Sequence, residues 1–328
     1  MKKSRTMRLH NNKMINFKSE ITNVIEKINI KQPGVEYRLN EPMRNHTSFK
    51  IGGVVRVMLF PENTAALTET YDLLNENGIT PFIMGNGSNL LFSDEEHDIV
   101  VINTIKMNVI SMMDNKTTAS QGYCDITVDA GALLSKAAIF AYENGLAGLE
   151  FAHGIPGTTG GAVVMNAGAY GKEIKDVVYN TTAYNGRVGK YTLTAAENEF
   201  SYRHSRFVST GDVVLSVVLR LQCGDKDTIK QEMDSLTLKR RESQPLNLPS
   251  GGSVFKRPNG GYAAALIEQA GLKGFSIGGA QVSDKHSGFI VNKGDASFKD
   301  VLALIEHVQE VVFKQFAIKL EPEIKIVK

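Results

Sequence analysis

The feature that most restricts the fold is a run of glycine-rich backbone in the middle of the chain. Residues 154–171 read GIPGTTGGAVVMNAGAYG, with six glycines around the short apolar core AVVM. Glycine lets a backbone adopt left-handed conformations and lets other groups approach closely, because it has no Cβ. A second such turn, GNGSN at 85–89, follows the apolar segment ITPFIM. The pair indicates either tight packing or a cradle of backbone amides for phosphate oxygens, and the residues leave both open.

The common nucleotide-binding and hydrolase fingerprints do not fit these turns. A Rossmann fingerprint needs a third glycine three residues after the second, and Leu90 stands at that position after Gly87. A P-loop needs Ser or Thr after Gly-Lys, where this chain has Glu173. The segment GGSVF at 251–255 comes close to a serine-hydrolase elbow, yet Phe255 replaces the last glycine. None of these three sites is predicted.

Composition excludes several other classes of protein. With 328 residues, 42% hydrophobic and 22% charged, the chain has the make-up of a globular protein of two or three domains. A net charge of +2 leaves no large positive field for nucleic acid. We interpret the one dense basic run, LKRRE at 238–242, as a solvated helix face. Two cysteines, Cys124 and Cys223, predict no structural metal site and no disulfide framework, and they favour a reducing cytoplasm.

Neither end of the chain nor its middle predicts insertion into a membrane. The N-terminal residues are basic but no apolar stretch follows them, so we expect no signal peptide and read residues 1–13 as a flexible leader. The uncharged stretch 151–171 is long enough to cross a bilayer, but its glycines, threonines and Asn166 make it too polar.

Hydrophobic periodicity predicts a mixed α/β chain in two units. Helical patterns over 15–30, 64–78 and 132–146 alternate with β-rich segments that extend to DVVLSVVLRLQ at 212–222. After a further helical run, a proline- and glycine-rich break precedes two helices and the short strand EIKIV. We therefore place a boundary near residue 223.

Six ordered motifs together point to a known family. They are NHTSFKIGG, MGNGSNLL, GLEFAHGIPGTTGGAVVMNAGAYG, SYRHSRF, RRESQPLNLPSGGSVFKRP and LEPEIKIV. In this order they resemble the UDP-N-acetylenolpyruvoylglucosamine reductases (UDP-N-acetylmuramate dehydrogenases) of bacterial cell-wall synthesis, and the short C-terminal unit is similar to the compact branch of that family. The resemblance runs from about residue 40 to the end.

The resemblance implies an α+β fold of the vanillyl-alcohol-oxidase type. Residues 14–222 would form an FAD-binding domain of two α+β subdomains, and 223–328 a substrate-binding domain whose C-terminal strand carries a catalytic glutamate. FAD would be bound non-covalently, so we read His153 as a packing residue. The residues implied to bind FAD are Gly85, Asn86, Gly87, Ser88, Asn89, Gly154, Ile155, Pro156, Gly157, Thr158, Gly160, Gly161, Asn166 and Gly168.

The resemblance also implies a reaction and three catalytic residues. NADPH would reduce FAD, and the reduced flavin would reduce UDP-N-acetylglucosamine enolpyruvate to UDP-N-acetylmuramate in the cytoplasm. Arg203 would stabilise the developing negative charge, Glu323 would assist it, and Ser253 would donate a proton.

Partners of the substrate's diphosphate and carboxylate are less clearly marked. By chemistry and position they are Tyr202, Lys256, Arg257, Lys285 and His286. A direct contact from Lys325 is in doubt, because the family commonly has arginine there. Two alternatives stay open: an FAD-dependent oxidase of an alcohol or sugar on the same fold, and a flavin-free protein that binds UDP-sugars.

Overall fold

A computed structural model describes residues 21–114, 120–259 and 261–328 of the chain. The predicted leader, residues 1–13, lies outside the described residues. In the described residues, three larger sheets with their covering helices form most of the fold, and each of the three has a hydrophobic core on one or both faces.

The first sheet is built around a strand with an almost continuous apolar sequence. In spatial order its strands are Glu36–Pro42, Val54–Phe60, His97–Asn103 and Phe82–Met84, and the last three are parallel. Strands buried on both faces read as continuous apolar runs, as VVRVMLF does. A helix over 21–31 and the helix Thr64–Glu76 cover one face. Met43 and Phe92 pack with residues of the sheet in a second cluster.

The second sheet is antiparallel and has one polar face. Its strands, in spatial order, are Gly189–Thr194, Val178–Asn185, Val213–Cys223, Tyr123–Asp129 and Ile110–Met112, and the short strand Leu146–Ala147 also pairs with the third of these. Val217, Leu219 and Leu221 are buried, whereas the residues between them are half-buried. This alternation is typical of a sheet covered on one face. The helices Leu134–Glu143 and Thr159–Met165 pack on the covered face.

The third sheet belongs to the C-terminal part of the chain. Its antiparallel strands are Ser250–Ser253, Phe289–Asn292, Ala280–Val282 and Ser276–Ile277. The helices Ala263–Gln269 and Phe298–Phe316 cover it. Ser297 and Asp300 form a capping box at the start of the second helix, and its buried residues follow the apolar spacing that the sequence shows.

The helix Lys226–Ser243, which follows the predicted boundary, packs against the elements that cover the second sheet. Its buried residues Ile229 and Met233 face the short turns and helices that cover the second sheet, and Leu236 packs against the same core. No residue of this helix contributes to the core of the third sheet as described. Burial therefore keeps this helix with the N-terminal part, and the division near residue 223 stays a prediction.

Short elements complete the described chain and join its parts. Lys325–Val327 pairs in parallel with Leu90–Phe92, so the C-terminus returns to the N-terminal part. Gly168–Ala169 pairs with Lys172–Glu173. The remaining elements are the helix Arg206–Thr210 and the 3-10 turns Met43–Asn45, Thr104–Lys106, Glu150–Ala152, Ile174–Asp176 and Ala196–Asn198.

The arrangement of sheets and helices has the mixed α+β character expected from the sequence. Within residues 21–114, 120–259 and 261–328, no helix combines the length and apolar character needed to cross a membrane.

Candidate functional site

The two glycine-rich turns predicted from the sequence lie against each other. A Cβ added to Gly85 would lie 2.1 Å from Thr158 Oγ1, and one added to Gly157 would lie 3.3 Å from Ser88 Oγ. The Asn86 side-chain amide donates a hydrogen bond to the Pro156 carbonyl at 2.5 Å. The turn at 85–89 and the turn at 154–161 therefore form one continuous backbone surface.

Gly87 shows why this surface needs glycine. Its φ is +61°, which is a left-handed conformation, and an added Cβ would lie 2.0 Å from the His46 carbonyl oxygen. The obstacle is backbone and cannot rotate away. The turn thus rests on the NHTSFK segment with no room for a side chain.

The backbone amides of this surface are available to a ligand. In the part of the chain that the structure describes, the N–H groups of residues 85–88 and of Gly157 donate to no protein acceptor. Thr158 is buried and caps the helix that follows it. Unpaired N–H groups that line a glycine surface are the arrangement that binds phosphate oxygens. The residues present therefore fit the diphosphate of an extended cofactor.

A cavity of about 680 Å³ opens beside the glycine surface. One wall is the segment Asn45–Ser48 and another is the loop Pro245–Ser250. Gly85, Asn86, Gly154 and Pro156 line it from the two turns, and Arg240 and Arg241 line it from the helix Lys226–Ser243. The cavity therefore joins the N-terminal part to the start of the third sheet.

Arg240 is a functional candidate that sequence reasoning missed. The run LKRRE was interpreted as a solvated helix face, but Arg240 is only half-exposed and burial lowers its pKa. An added Cβ at Gly154 would lie 2.7 Å from its Cδ atom. Among the described residues its guanidinium has no hydrogen-bond acceptor. The missed signal is the three-residue spacing of Thr237 and Arg240, which puts both side chains on the helix face that lines the cavity.

His153 was predicted to be a packing residue, and the structure gives it a polar contact. Its Nδ1 atom lies 3.2 Å from Thr237 Oγ1, and its half-buried ring lines the same cavity. The contact ties the second glycine turn to the helix that carries Arg240.

Two residues expected to bind the cofactor, Asn166 and Gly160, make hydrogen bonds to other groups of the protein. Asn166 is fully buried in a left-handed conformation, and its amide group donates to Glu173 Oε2 and to the Ser201 carbonyl. Its side-chain oxygen accepts the Lys175 N–H, so both polar atoms of the Asn166 side chain have partners within the protein. Gly160 donates its N–H to the Ala130 carbonyl. The role of these two residues in binding FAD stays a prediction.

The other expected cofactor residues have mixed environments. Ile155 packs against the core of the second sheet. Gly161 is exposed, and its N–H makes a long contact of 3.4 Å with Thr158 Oγ1. Gly168 contacts Arg203 through its carbonyl. Asn89 donates its side-chain amide to the Glu323 carbonyl at 3.2 Å, which joins the first glycine turn to the predicted catalytic residues.

Arg203 and Glu323, which are 120 residues apart in the chain, form an ion pair. Arg203 Nε lies 2.6 Å from Glu323 Oε1, and their side chains are 20% and 13% exposed. Arg203 has a φ of +54°, which is uncommon for a residue with a side chain. Burial raises the pKa of Glu323, and the Arg203 guanidinium opposes that rise. The pair is thus a partly desolvated charge cluster on a constrained turn.

Ser253 lies beside this ion pair through the backbone. The Glu323 N–H donates to the carbonyl of Val254, the residue after Ser253, at 2.7 Å. Gly251 packs on Phe49, where a Cβ would lie 2.3 Å from the ring, and Gly252 has a φ of +81°. The two glycines therefore fix the path of the strand that ends at Ser253. In the described part of the chain the Ser253 hydroxyl has no hydrogen-bond partner.

The segment that carries Glu323 connects all three parts of the site. The Lys256 N–H donates to the Glu321 carbonyl, and the Lys325 N–H donates to the Asn89 carbonyl. Glu323 lies two residues before the terminal strand Lys325–Val327 rather than within it. This segment holds the third sheet against the glycine surface.

The predicted substrate-binding residues fall in two groups. Beside the ion pair, the Tyr202 ring lies 5.1 Å from the Arg203 guanidinium carbon, and the Tyr202 hydroxyl accepts the Arg257 N–H. Lys256 pairs with Glu321 at the surface.

The second group, Lys285 and His286, contacts Arg241 and Phe289, which line the cavity. Lys285 donates to the Arg241 carbonyl. Burial lowers the pKa of His286, whose Nδ1 accepts the Gly288 N–H at 3.1 Å. A Cβ at Gly288 would meet both the His286 ring and Ser253 Oγ, so these two side chains border the same small space.

Comparison with known proteins gives a consistent result. Residues 55–191 match the model of an FAD binding domain, and residues 244–327 match that of the UDP-N-acetylenolpyruvoylglucosamine reductase, C-terminal domain. The second match begins directly after the helix Lys226–Ser243.

Similar proteins cover almost the whole chain. A UDP-N-acetylenolpyruvoylglucosamine reductase of Caldanaerobacter subterraneus is 47% identical over 88% of this chain and 93% of its own length. One of Clostridium novyi is 44% identical over 95% of this chain and 97% of its own. The crystal structure of the UDP-N-acetylenolpyruvylglucosamine reductase of Thermus caldophilus superposes with a TM-score of 0.73 at 32% identity, and covers 90% of this chain and 99% of that one.

Proposed function

The chain belongs to the UDP-N-acetylenolpyruvoylglucosamine reductase family, and we propose that it reduces UDP-N-acetylglucosamine enolpyruvate to UDP-N-acetylmuramate with NADPH. It is an FAD-dependent oxidoreductase, as its FAD-binding domain and its relatives indicate. The observation that carries the proposal is the ion pair of Arg203 and Glu323, which is linked through the backbone to the residue after Ser253 and to the first glycine turn.

The glycine surface would hold the cofactor through backbone groups. The free N–H groups of residues 85–88 and of Gly157 would donate to the diphosphate oxygens, and Arg240 would supply a positive charge across the cavity. When bound, FAD supplies the hydride that NADPH delivers and that the substrate receives.

Arg203 would stabilise the negative charge that hydride addition pushes onto the substrate carboxylate. Its guanidinium is fixed by the Glu323 carboxylate and by the Gly168 carbonyl at 3.3 Å. A cation that is already oriented stabilises developing charge without further reorganisation, and one lost donor of this kind costs about 3–4 kcal/mol.

Glu323 would set the position of the Arg203 guanidinium. Burial raises the pKa of Glu323 while the Arg203 guanidinium favours the charged carboxylate. The carboxylate therefore orients the guanidinium toward the reacting atoms.

Ser253 would donate a proton to the substrate carbon next to the carboxylate. Its hydroxyl is not engaged by another described group, and the strand that carries it is fixed by Gly251 and Gly252. A serine hydroxyl is a weak acid, so it serves only a strongly basic carbon that is formed within hydrogen-bond reach.

The proposal also covers partners and location. The substrates are NADPH and the UDP-sugar, with Tyr202, Lys256, Arg257, Lys285 and His286 as the partners of its acidic groups. The enzyme would act in the cytoplasm, without nucleic acid and without membrane insertion. An oxidase of an alcohol or sugar would need neither NADPH nor Ser253, and no observation favours that alternative.

The test is to follow the two half-reactions separately in Ser253→Ala. Under anaerobic stopped-flow conditions, NADPH should bleach the flavin at a rate close to that of the unaltered protein. Reoxidation by the enolpyruvyl substrate should slow by roughly 10²–10⁴, which is the usual contribution of positioned acid catalysis. Ser276→Ala, on an exposed strand of the same sheet, is the control and should leave both rates unchanged.

Two results would count against the proposal. Equal slowing of both half-reactions in Ser253→Ala would assign that residue a structural role only. A reduced flavin that the enolpyruvyl substrate fails to reoxidise in the unaltered protein would overturn the proposed reaction.

A further inference from the structure

The only two cysteines of the sequence lie next to each other in the folded chain. Cys124 and Cys223 are 99 residues apart, yet their Sγ atoms are separated by 3.5 Å. Both are free thiols. Neither lines the cavity described above, and neither takes part in the proposed reaction.

The register of the second sheet explains this proximity. Cys124 lies opposite Leu221 on the neighbouring antiparallel strand, and Cys223 lies two residues beyond Leu221. Side chains at such diagonal positions point to the same face of a sheet. Cys223 is exposed at the end of its strand, where its N–H donates to the Gly122 carbonyl, and its Sγ atom already lies 3.5 Å from that of Cys124.

We propose that Cys124 and Cys223 form a reversible intramolecular disulfide when the protein meets a low-molecular-weight disulfide such as oxidised glutathione. The exposed Cys223 thiolate attacks the small disulfide, forms a mixed disulfide and releases one small thiol. The Cys124 thiolate then attacks Cys223 Sγ and releases the second small thiol. The two cysteines are oxidised, the small disulfide is reduced, and the two protons that the cysteines give up pass to the two small thiols released.

The order of these steps follows from the environments of the two thiols. Cys124 is half-buried against the core of the second sheet, and burial together with the neighbouring thiol raises its pKa. A thiol with a raised pKa is a poor first nucleophile near neutral pH, whereas its close approach to Cys223 makes it an effective second one. A small disulfide should therefore react first at Cys223. Cys124 should then displace the attached small thiol at once.

The bond would link strands that are far apart in sequence without altering the active site. The helix Lys226–Ser243 begins three residues after Cys223, and Arg240 lies about 20 Å further along it at 1.5 Å per residue. Closing a long loop restricts the unfolded chain, so the oxidised form should unfold at higher temperature than the reduced form. Turnover should be the same in both forms.

The experiment treats the FAD-loaded protein with oxidised glutathione and measures its intact mass. The expected product has lost two hydrogens, carries no glutathione and has no titratable thiol, and reduction restores two thiols. Cys124→Ser should retain one glutathione on Cys223, because the displacing thiol is missing. Cys223→Ser should react much more slowly, because only the half-buried thiol remains.

Other outcomes would overturn the proposal. They are a stable glutathione adduct on the unaltered protein, disulfide-linked dimers on a non-reducing gel, or two thiols that stay unreacted. Retained flavin absorbance in each variant shows that the fold has survived the change. The thiol measurements do not depend on the identity of the substrate, so their failure would leave the proposed function untouched.

Discussion

Replacing Gly87 with alanine tests whether the glycine surface is a cofactor site or only a tightly packed turn. Gly87 has a φ of +61°, and an added Cβ would lie 2.0 Å from the His46 carbonyl oxygen. The left-handed conformation costs an L-residue about 1–2 kcal/mol, and forcing the backbones apart adds roughly 1–3 kcal/mol. Because Cβ atoms do not approach other non-bonded heavy atoms within 3.0 Å, the turn must move by about 1 Å.

That displacement should weaken FAD binding more than it weakens the fold. Losing two hydrogen bonds to a charged diphosphate costs about 1.5–3 kcal/mol each, so the FAD dissociation constant should rise by roughly 10²–10⁴. Fluorescence titration of the apoprotein with FAD measures this constant, and thermal unfolding without FAD measures the cost to the fold.

Gly78→Ala is the matched control for the backbone effect. Gly78 has a similar φ of +74°, but it lies in open space after the helix Thr64–Glu76. This variant should lose about 1–2 kcal/mol of stability and keep its affinity for FAD. If Gly87→Ala bound FAD as tightly as Gly78→Ala, the amides of the first turn would not be the cofactor's partners.

Two further predictions concern the guanidinium of Arg240 and the phenol of Tyr191. Arg240→Gln should raise the FAD dissociation constant by about 10- to 10²-fold. The control is Lys239→Gln, at the exposed neighbouring residue, which should leave this constant unchanged. Equal effects of the two substitutions would contradict the role of Arg240. Burial and a hydrogen bond to the Asp212 carboxylate raise the pKa of Tyr191 from 10.0 to about 12. The unfolded chain then loses this proton at lower pH than the folded protein, so the free energy of unfolding should fall between pH 10 and 12. In Tyr191→Phe the free energy of unfolding should fall less steeply over the same pH range.

Local sequence patterns predicted most of the helices and strands, because the spacing of apolar residues and the backbone propensities that form them are local properties. The apolar stripe of Phe298–Phe316 and the β-rich run before Cys223 both appear as expected. The glycine turns were also recognisable, because a left-handed φ or a close backbone contact permits no other residue at positions such as Gly87. The order of six motifs identified the family before any distance was known.

The roles of single residues depended on contacts that the sequence does not contain. Asn166 lies within a glycine motif, yet its side-chain polar atoms have partners at Glu173, Lys175 and Ser201. Arg240 belongs to a basic run that is typical of a solvated helix, and only the packing of that helix places it at the cavity.

What the sequence determined by itself is the set of elements and the chemistry they carry, because backbone propensity and residue type are local properties. What only the tertiary structure decided is which distant groups meet. Arg203 and Glu323 become an ion pair, and Cys124 and Cys223 become neighbours, because sheet register and the returning C-terminal segment bring them together. Such contacts join residues about a hundred positions apart, so no pattern within a short window records them.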